Sequence, residues 1–335
     1  MGDDLTPSPQ PPGGSAPRPV WAVYEPPPTS PFRRALRRIR PWLSAPLFHL
    51  LLFLLTLITT LDVGAHLAAN FDHQLPAFDL DLSLAFFLKS LGHLSSLVQG
   101  IPFAFTLLAI LLAHELGHYF ACRYYGVRAT LPYFLPAPTL IGTLGAFIRI
   151  ESRLPTRRAL FDIGIAGPLA GFVVALPTLW AGILQSRFRA ISTLFDSIRL
   201  GSPPAQTLLV RVLQRGIDPA HLALSPVACG AWVGLFATAL NLLPIGQLDG
   251  GHILYAVFGR KHTALSRTFF LALLPLGIWC WSGWIVWAVL MLVVGLRHPA
   301  IVNSDEPLGR GRRWLALVAA FMFILCFVPT PFSIR

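Results

Sequence analysis

Charge is what this sequence has least of. Only 12% of its 335 residues are charged, about half the roughly 25% of an ordinary soluble domain. With 54% hydrophobic residues and a mean hydropathy of +0.63, that scarcity argues against a water-exposed globular protein. Several stretches approach or exceed the roughly 18 apolar residues that cross a bilayer, so the chain reads as a multi-span membrane protein. Acid is scarcer than base, 15 Asp and Glu against 26 Lys and Arg, for a net charge of +11. The excess does not point to nucleic acid, because the arginines stand beside hydrophobic segments, as cytoplasmic loops of membrane proteins require. No basic domain or nucleic-acid motif accompanies them. Cysteine is also sparse. Cys122, Cys229, Cys280 and Cys326 lie in or at the ends of apolar runs without Cys-x-x-Cys spacing, which speaks against a disulfide framework or a thiolate metal cluster.

Proline, serine and glycine crowd the first 31 residues, as in "PSPQPPGGSAPRP". Such a segment cannot bury enough apolar surface to fold. Residues 1–43 are therefore expected to be a disordered cytoplasmic tail ending in the basic juxtamembrane stretch "FRRALRRIRPW". Residues 44–332 form a single transmembrane domain. By the positive-inside rule its amino terminus is cytoplasmic.

Spans are expected at about 44–66, 100–122, 159–184, 223–244 and 313–331. The apolar stretch 268–296 is broken by "WSG" at 281–283 and flanked on both sides by basic residues. A two-span hairpin accounts for that better than one tilted helix. The arginines of loop 185–222 do not follow the charge rule, and "FRAISTLFDSIRL" within it has a partly amphipathic pattern suited to an interfacial helix. The fold expected is an all-α polytopic membrane protein with six to seven transmembrane helices. One short β-hairpin, rich in Pro, Gly and β-branched residues, lies at the membrane between spans two and three.

Against this apolar background, "LLAHELGHYF" (111–120) places three ionisable groups in a span. His114 and His118 are four apart, so a helix puts both imidazoles on one face, where they can bind one metal ion. Glu115 beside them can take a proton from water at that metal, the logic of zinc hydrolases with His-Glu-x-x-His. With four glutamates and ten histidines in the chain, chance supplies this pattern in only about 0.004 of such sequences. Ionisable groups at membrane depth are costly and rarely idle.

A catalytic zinc needs a third protein ligand. Span four ends in "NLLPIGQLDGGHIL" (241–254), which offers Asp249, with His252 as a rival. Without a metal, "LDGG" would read as an Asp-Gly turn closing a helix. Asn241 with Pro244 could be a packing asparagine capping a broken helix. Gly167 and Gly171 need no explanation beyond close helix packing.

Together "AHELGHYFACRYYGV" and "NLLPIGQLDGGHIL" resemble the site-2 protease family of intramembrane zinc metalloproteases. "GTLGAFIRI", "GIAGPLAGF" and the carboxy-terminal "RHPAIVN…PLGRGRRWLALVAAFMFILCFVPTPF" are similar to further stretches of that family, the last to its bacterial and plastid members. The resemblance spans about 45–332. It implies His114, His118 and Asp249 as ligands of a Zn2+ cofactor and Glu115 as general base, and it gives His252 no ligand role. Asn241 is implied to orient substrate or stabilise the oxyanion. Gly142 and Gly145 are expected to leave a strand edge open to an unwound substrate.

No loop exceeds about 40 residues, too short for an inserted PDZ domain, so the resemblance is to compact PDZ-less members. It implies an intramembrane zinc endopeptidase acting on transmembrane protein substrates in regulated proteolysis. The protein is expected as an integral multi-pass protein of a bacterial cytoplasmic membrane, in contact with lipid and not with nucleic acid. A membrane metal-ion transporter or an inactive scaffold would be the alternatives. The first lacks a visible inverted repeat, and the second would be expected to have lost Glu115 or a ligand.

Overall fold

Proline and hydroxyl residues mark the starts of the first helices in this computed structural model, which describes residues 45–78, 97–188, 198–214, 216, 218–295 and 306–334. Helix α1 (Pro46–Asp72) opens on Pro46, whose missing N–H costs nothing at a helix start. The buried hydroxyls of Thr56 and Thr60 donate to carbonyls four residues back, Leu52 O at 2.8 Å and Thr56 O at 2.7 Å, and so need no partner in an apolar setting. Helix α2 (Ile101–Tyr124) has Pro102 in its first turn and follows a short 3-10 turn, Val98–Gly100. Helix α3 (Arg157–Gln185) is capped by Thr156, whose hydroxyl accepts from Ala159 N–H at 3.1 Å, and Ser225 caps α5 (Pro226–Asn241) in the same way.

Three of these segments, Pro46–Asp72, Val98–Tyr124 and Arg157–Gln185, are long and apolar enough to cross a membrane. The protein is a helical membrane protein, as its composition implied. Helix α5 is shorter. At 16 residues it is about 24 Å long, against about 30 Å of hydrocarbon. It is also buried on nearly every side, with Trp232, Leu235 and Cys229 fully enclosed. The chain then turns through residues 242–248 into α6 (Asp249–Phe258). The segment expected as span four is thus a broken helix, with Asn241 closing one piece and Asp249 opening the next. "LDGG" starts a helix here rather than closing one. An added Cβ on Gly250 would stand 2.0 Å from the Leu242 carbonyl, so only glycine lets the new helix fold back onto the turn.

The apolar stretch near 268–296 is two packed helices, α7 (His262–Trp279) and α8 (Gly283–Val294), broken at Cys280–Ser282. Helix α9 (Arg310–Cys326) stops five residues before the expected end of the last span, because Pro329 and Pro331 cannot continue a helix.

Three two-stranded antiparallel sheets complete the described residues. The one between α2 and α3 is the hairpin expected there, β1 (Tyr133–Pro136) with β2 (Thr143–Phe147). It lies along α1. The His49 ring packs at a tilt on Tyr133 with centroids 4.2 Å apart, Phe53 meets Phe134 edge-on at 5.1 Å, and Thr59 Oγ1 donates to Gly142 O at 2.6 Å. From His49 to Thr59 the hairpin follows α1 for about 15 Å, with Tyr133 and Phe134 of β1 buried and Leu144 and Phe147 of β2 exposed.

Strand β3 (Arg187–Phe188) pairs with β5 (Leu222–Ala223), and β4 (Ile198–Leu200) pairs with the chain's last strand β6 (Phe332–Ile334). Part of the basic loop finds its reason here, since the Arg187 guanidinium lies 4.8 Å over the Phe71 ring. The amphipathic helix of this loop is α4 (Pro204–Leu213), which buries Ala205 and Val210 and exposes Leu208 and Val212. Of the segment expected to form an interfacial helix, the described end is strand β4 and residues 189–197 lie outside the described residues. The proline-rich tail and the acidic loop with Asp79 and Asp81 also lie outside them.

Candidate metal centre

Helix α2 carries His114 and His118 on one buried face, as their spacing required. Helix α6 brings Asp249 to them from 131 residues further along the chain. His114 Nε2 lies 3.1 Å and His118 Nε2 3.2 Å from Asp249 Oδ2, and the two nitrogens are 3.2 Å apart. Among the described residues this is the one group of three or more His, Cys, Asp or Glu side chains close enough to share an ion.

The donor triangle fits zinc. Bonds of 2.0–2.1 Å in tetrahedral geometry separate donor atoms by about 3.3–3.4 Å. Proton placement makes the same point. His118 Nδ1 is 2.7 Å from the Ile163 carbonyl, an oxygen that can only accept, so Nδ1 carries the proton. In the neutral imidazole, Nε2 is then a bare lone pair facing another nitrogen and a carboxylate oxygen. A cation between them would hold such a cluster of acceptors together. The Ile163 carbonyl is also the kind of outer partner that fixes the tautomer of a ligating histidine.

Glu115 is buried beside the triangle, with the Ile148 backbone, just past β2, close to its carboxylate. Asn241 reaches in from the end of α5, its Nδ2 3.3 Å from His114 Nε2. His252 is on α6 but outside the triangle, its Cβ against Gly164 of α3. The two hairpin glycines differ. Gly142 has φ +81° in the turn before β2, and an added Cβ would meet the Thr59 carbonyl at 2.7 Å, so it is pressed against α1 rather than set on an open edge. Gly145, inside β2 at φ +100°, has nothing within 4 Å of an added Cβ.

The first turns of α3 hold the ligand-bearing elements together through residues that motif reading did not single out. Arg157 donates through Nε to the Ala256 carbonyl and through Nη2 to Val257 O at 2.8 Å, capping the end of the helix that Asp249 begins. Asp162 receives Arg312 of α9 as a fork, Nε at 2.8 Å and Nη2 at 2.6 Å, and accepts from the Tyr125 hydroxyl at the end of α2. Burial, then the Asp162 carboxylate, raises the Tyr125 phenol above its ordinary range, so it stays a donor. A lone acid in "LFDIG" was the available signal, since buried acids in apolar helices need a partner. Arg312→Met is expected to cost about 1–2 kcal/mol of unfolding free energy, since a forked pair exceeds the usual surface pair yet water still reaches it. Thermal unfolding in detergent measures this; an unchanged midpoint would remove the clamp from the account.

The comparisons with known proteins agree with the site. A family model, "Peptidase family M50", matches residues 102–279, more than half of the chain and inclusive of both histidines, Glu115, Asn241 and Asp249. The chain belongs to peptidase family M50. This is the site-2 protease family that the two motifs resembled. The M50 chain is 32% identical over 293 residues to the probable zinc metalloprotease EGY1, chloroplastic, of Oryza sativa subsp. japonica, covering 84% of this chain and 50% of that protein. It is 30% identical over 270 residues to the probable zinc metalloprotease EGY2, chloroplastic, of Arabidopsis thaliana, covering 78% and 47%. It is also 30% identical over 270 residues to the probable zinc metallopeptidase EGY3, chloroplastic, of Arabidopsis thaliana, covering 73% and 46%. This M50 chain thus spans about half the length of the curated relatives it matches. Their chloroplastic names lend no support to the bacterial cytoplasmic membrane expected from the sequence.

Proposed function

We propose that this protein is a zinc endopeptidase that hydrolyses peptide bonds within transmembrane segments of membrane proteins. The observation that carries the reading is the donor triangle of His114, His118 and Asp249 with a buried glutamate beside it, within an M50 chain. His114, His118 and Asp249 are the residues that would hold zinc. Zinc bound there supplies Lewis acidity, which polarises the scissile carbonyl and acidifies water.

The remaining chemistry belongs to the chain's own groups. Glu115 takes a proton as the water oxygen attacks the carbonyl carbon, and it returns that proton to the amine as the C–N bond breaks. The Ile148 backbone, close to the Glu115 carboxylate, limits where that group can sit during both transfers. Asn241 offers a side-chain N–H to the oxygen on which negative charge develops. A helical substrate must be unwound first. Strand β2 offers it an edge, and the open space at Gly145 lets a backbone approach. The hairpin ends at Phe147, just before Ile148 near Glu115, so a strand held on that edge would run toward the base.

In the bilayer, α1, α2, α3 and the broken α5–α6 unit are read as crossings, with α9 and the α7–α8 hairpin bringing the total to six or seven. The five arginines before α1 set the amino terminus on the cytoplasmic side. Cleavage is then near the cytoplasmic side of the substrate span. The substrates are integral membrane proteins that undergo regulated proteolysis.

The test uses the full chain reconstituted in lipid with a panel of single-span substrates. Zinc removal with a strong chelator is expected to abolish cleavage and zinc addition to restore it, with product ends mapped by mass spectrometry inside the apolar segment. Cleavage that persists without zinc, or falls only in soluble flanks, would contradict the proposal.

A further inference from the structure

The face of α3 turned toward the metal centre presents glycine and one carbonyl that accepts from outside the helix. The Ile163 carbonyl receives His118 Nδ1–H at 2.7 Å. One turn later, a Cβ on Gly167 would fall 2.1 Å from His118 Nε2, 2.4 Å from Cδ2 and 2.5 Å from Cε1. Those three distances place it over the ring face at the coordinating nitrogen, so the imidazole lies flat on the Gly167 backbone and no side chain fits between. Pro168 follows inside the helix. It has no N–H to return to the Gly164 carbonyl, one residue after the carbonyl of Ile163 that serves a partner outside the helix. One further turn on, a Cβ at Gly171 would sit 3.2 Å from His114 Cβ and 3.3 Å from its Nδ1. That is a shallower version of the same contact.

We propose that Gly167 is a positioning residue for the metal centre. Its bare backbone is the seat of the His118 ring, which the Ile163 carbonyl holds in the tautomer that frees Nε2. Gly171 is the lesser seat of His114. The proposal rests on the reading of the triangle as a metal site. It differs from ordinary helix packing, for which the same helix supplies a comparison. Gly182 is equally tight, with an added Cβ 2.4 Å from Ala228 N, but it packs α3 on α5 about 22 Å further along the axis.

The experiment takes the full chain, purified metal-free in detergent, and titrates it with Co2+ alone, following visible ligand-field absorption. Circular dichroism melting of the metal-free protein is recorded in parallel. Wild type is expected to bind with a tetrahedral spectrum. Gly167→Ala is expected to bind about 10–100-fold more weakly, as loss of outer-partner support costs, with an altered spectrum. Gly182→Ala should lower the melting temperature yet keep the wild-type affinity and spectrum. If Gly167→Ala does not fold, Gly171→Ala decides, with an expected loss of about tenfold, the lower end of that range; wild-type binding there overturns the proposal. So does a Gly167→Ala protein with wild-type affinity and spectrum, or equal weakening in Gly167→Ala and Gly182→Ala. Failure of the wild type to bind cobalt would instead bring down the metal reading on which the seat depends.

Discussion

Glutamine in place of Glu115 is expected to slow peptide-bond cleavage by about 10²–10⁴-fold while metal content stays at the wild-type level, because general acid–base transfer carries a factor of that size. Glutamine keeps the volume of the side chain and so preserves its setting beside the Ile148 backbone. What it cannot do is take a proton at neutral pH. Glu115 also lies outside the triangle of His114, His118 and Asp249, so the substitution separates base chemistry from metal binding. Two readouts are needed, turnover of a single-span substrate in lipid vesicles and zinc content of the same preparation. In cells the counterpart is accumulation of a membrane-bound stub in Glu115→Ala that the wild type removes. Processing at equal rates in wild type and variant would end the protease reading. Loss of zinc together with activity would show instead that Glu115 supports the centre structurally.

The parts of this site that were legible in the sequence are those set by local periodicity or by a costly residue type. His114 and His118 needed only the helix repeat. Glu115 was conspicuous because the chain has four glutamates and one of them sits in a span. The hairpin between α2 and α3 announced itself through prolines and glycines that deny a helix. Long-range placement was a different matter. Asn241 with Pro244 allowed the reading of a broken helix, but nothing in the spacing of "NLLPIGQLDGG" says that a new helix opens on Asp249, where the Gly250 backbone closes on the Leu242 carbonyl. The backbone partners were invisible for the same reason. Ile163 contributes a carbonyl and Ile148 its main chain, so neither side chain carries a signal. Gly167 looked like one half of a packing motif, and only coordinates reveal that its neighbour across the contact is an imidazole rather than another helix backbone. Helix ends were misjudged where hydropathy continued past a breaker, as at Pro329 and Pro331 after α9.

The choice between Asp249 and His252 yields the second large effect. Asp249→Ala is expected to weaken zinc binding by more than about 100-fold, beyond the 10–100-fold that an outer partner costs, while His252→Ala leaves it unchanged. The two are three positions apart on α6, yet their settings differ in kind. Asp249 Oδ2 is within 3.2 Å of both histidine nitrogens, whereas the His252 Cβ packs against Gly164 of α3. Binding to the folded state alone raises stability by about 2.7 kcal/mol when free zinc is 100 times the dissociation constant. Added zinc should therefore raise the thermal midpoint of the wild type and of His252→Ala alike, and fail to raise that of Asp249→Ala at the same concentration. Because the shift is read within each protein, with and without metal, any packing cost of removing the His252 ring cancels from the comparison. A zinc-induced shift lost in His252→Ala and kept in Asp249→Ala would move the third ligand to the histidine. The break between α5 and α6 would then be a packing feature with no part in the chemistry.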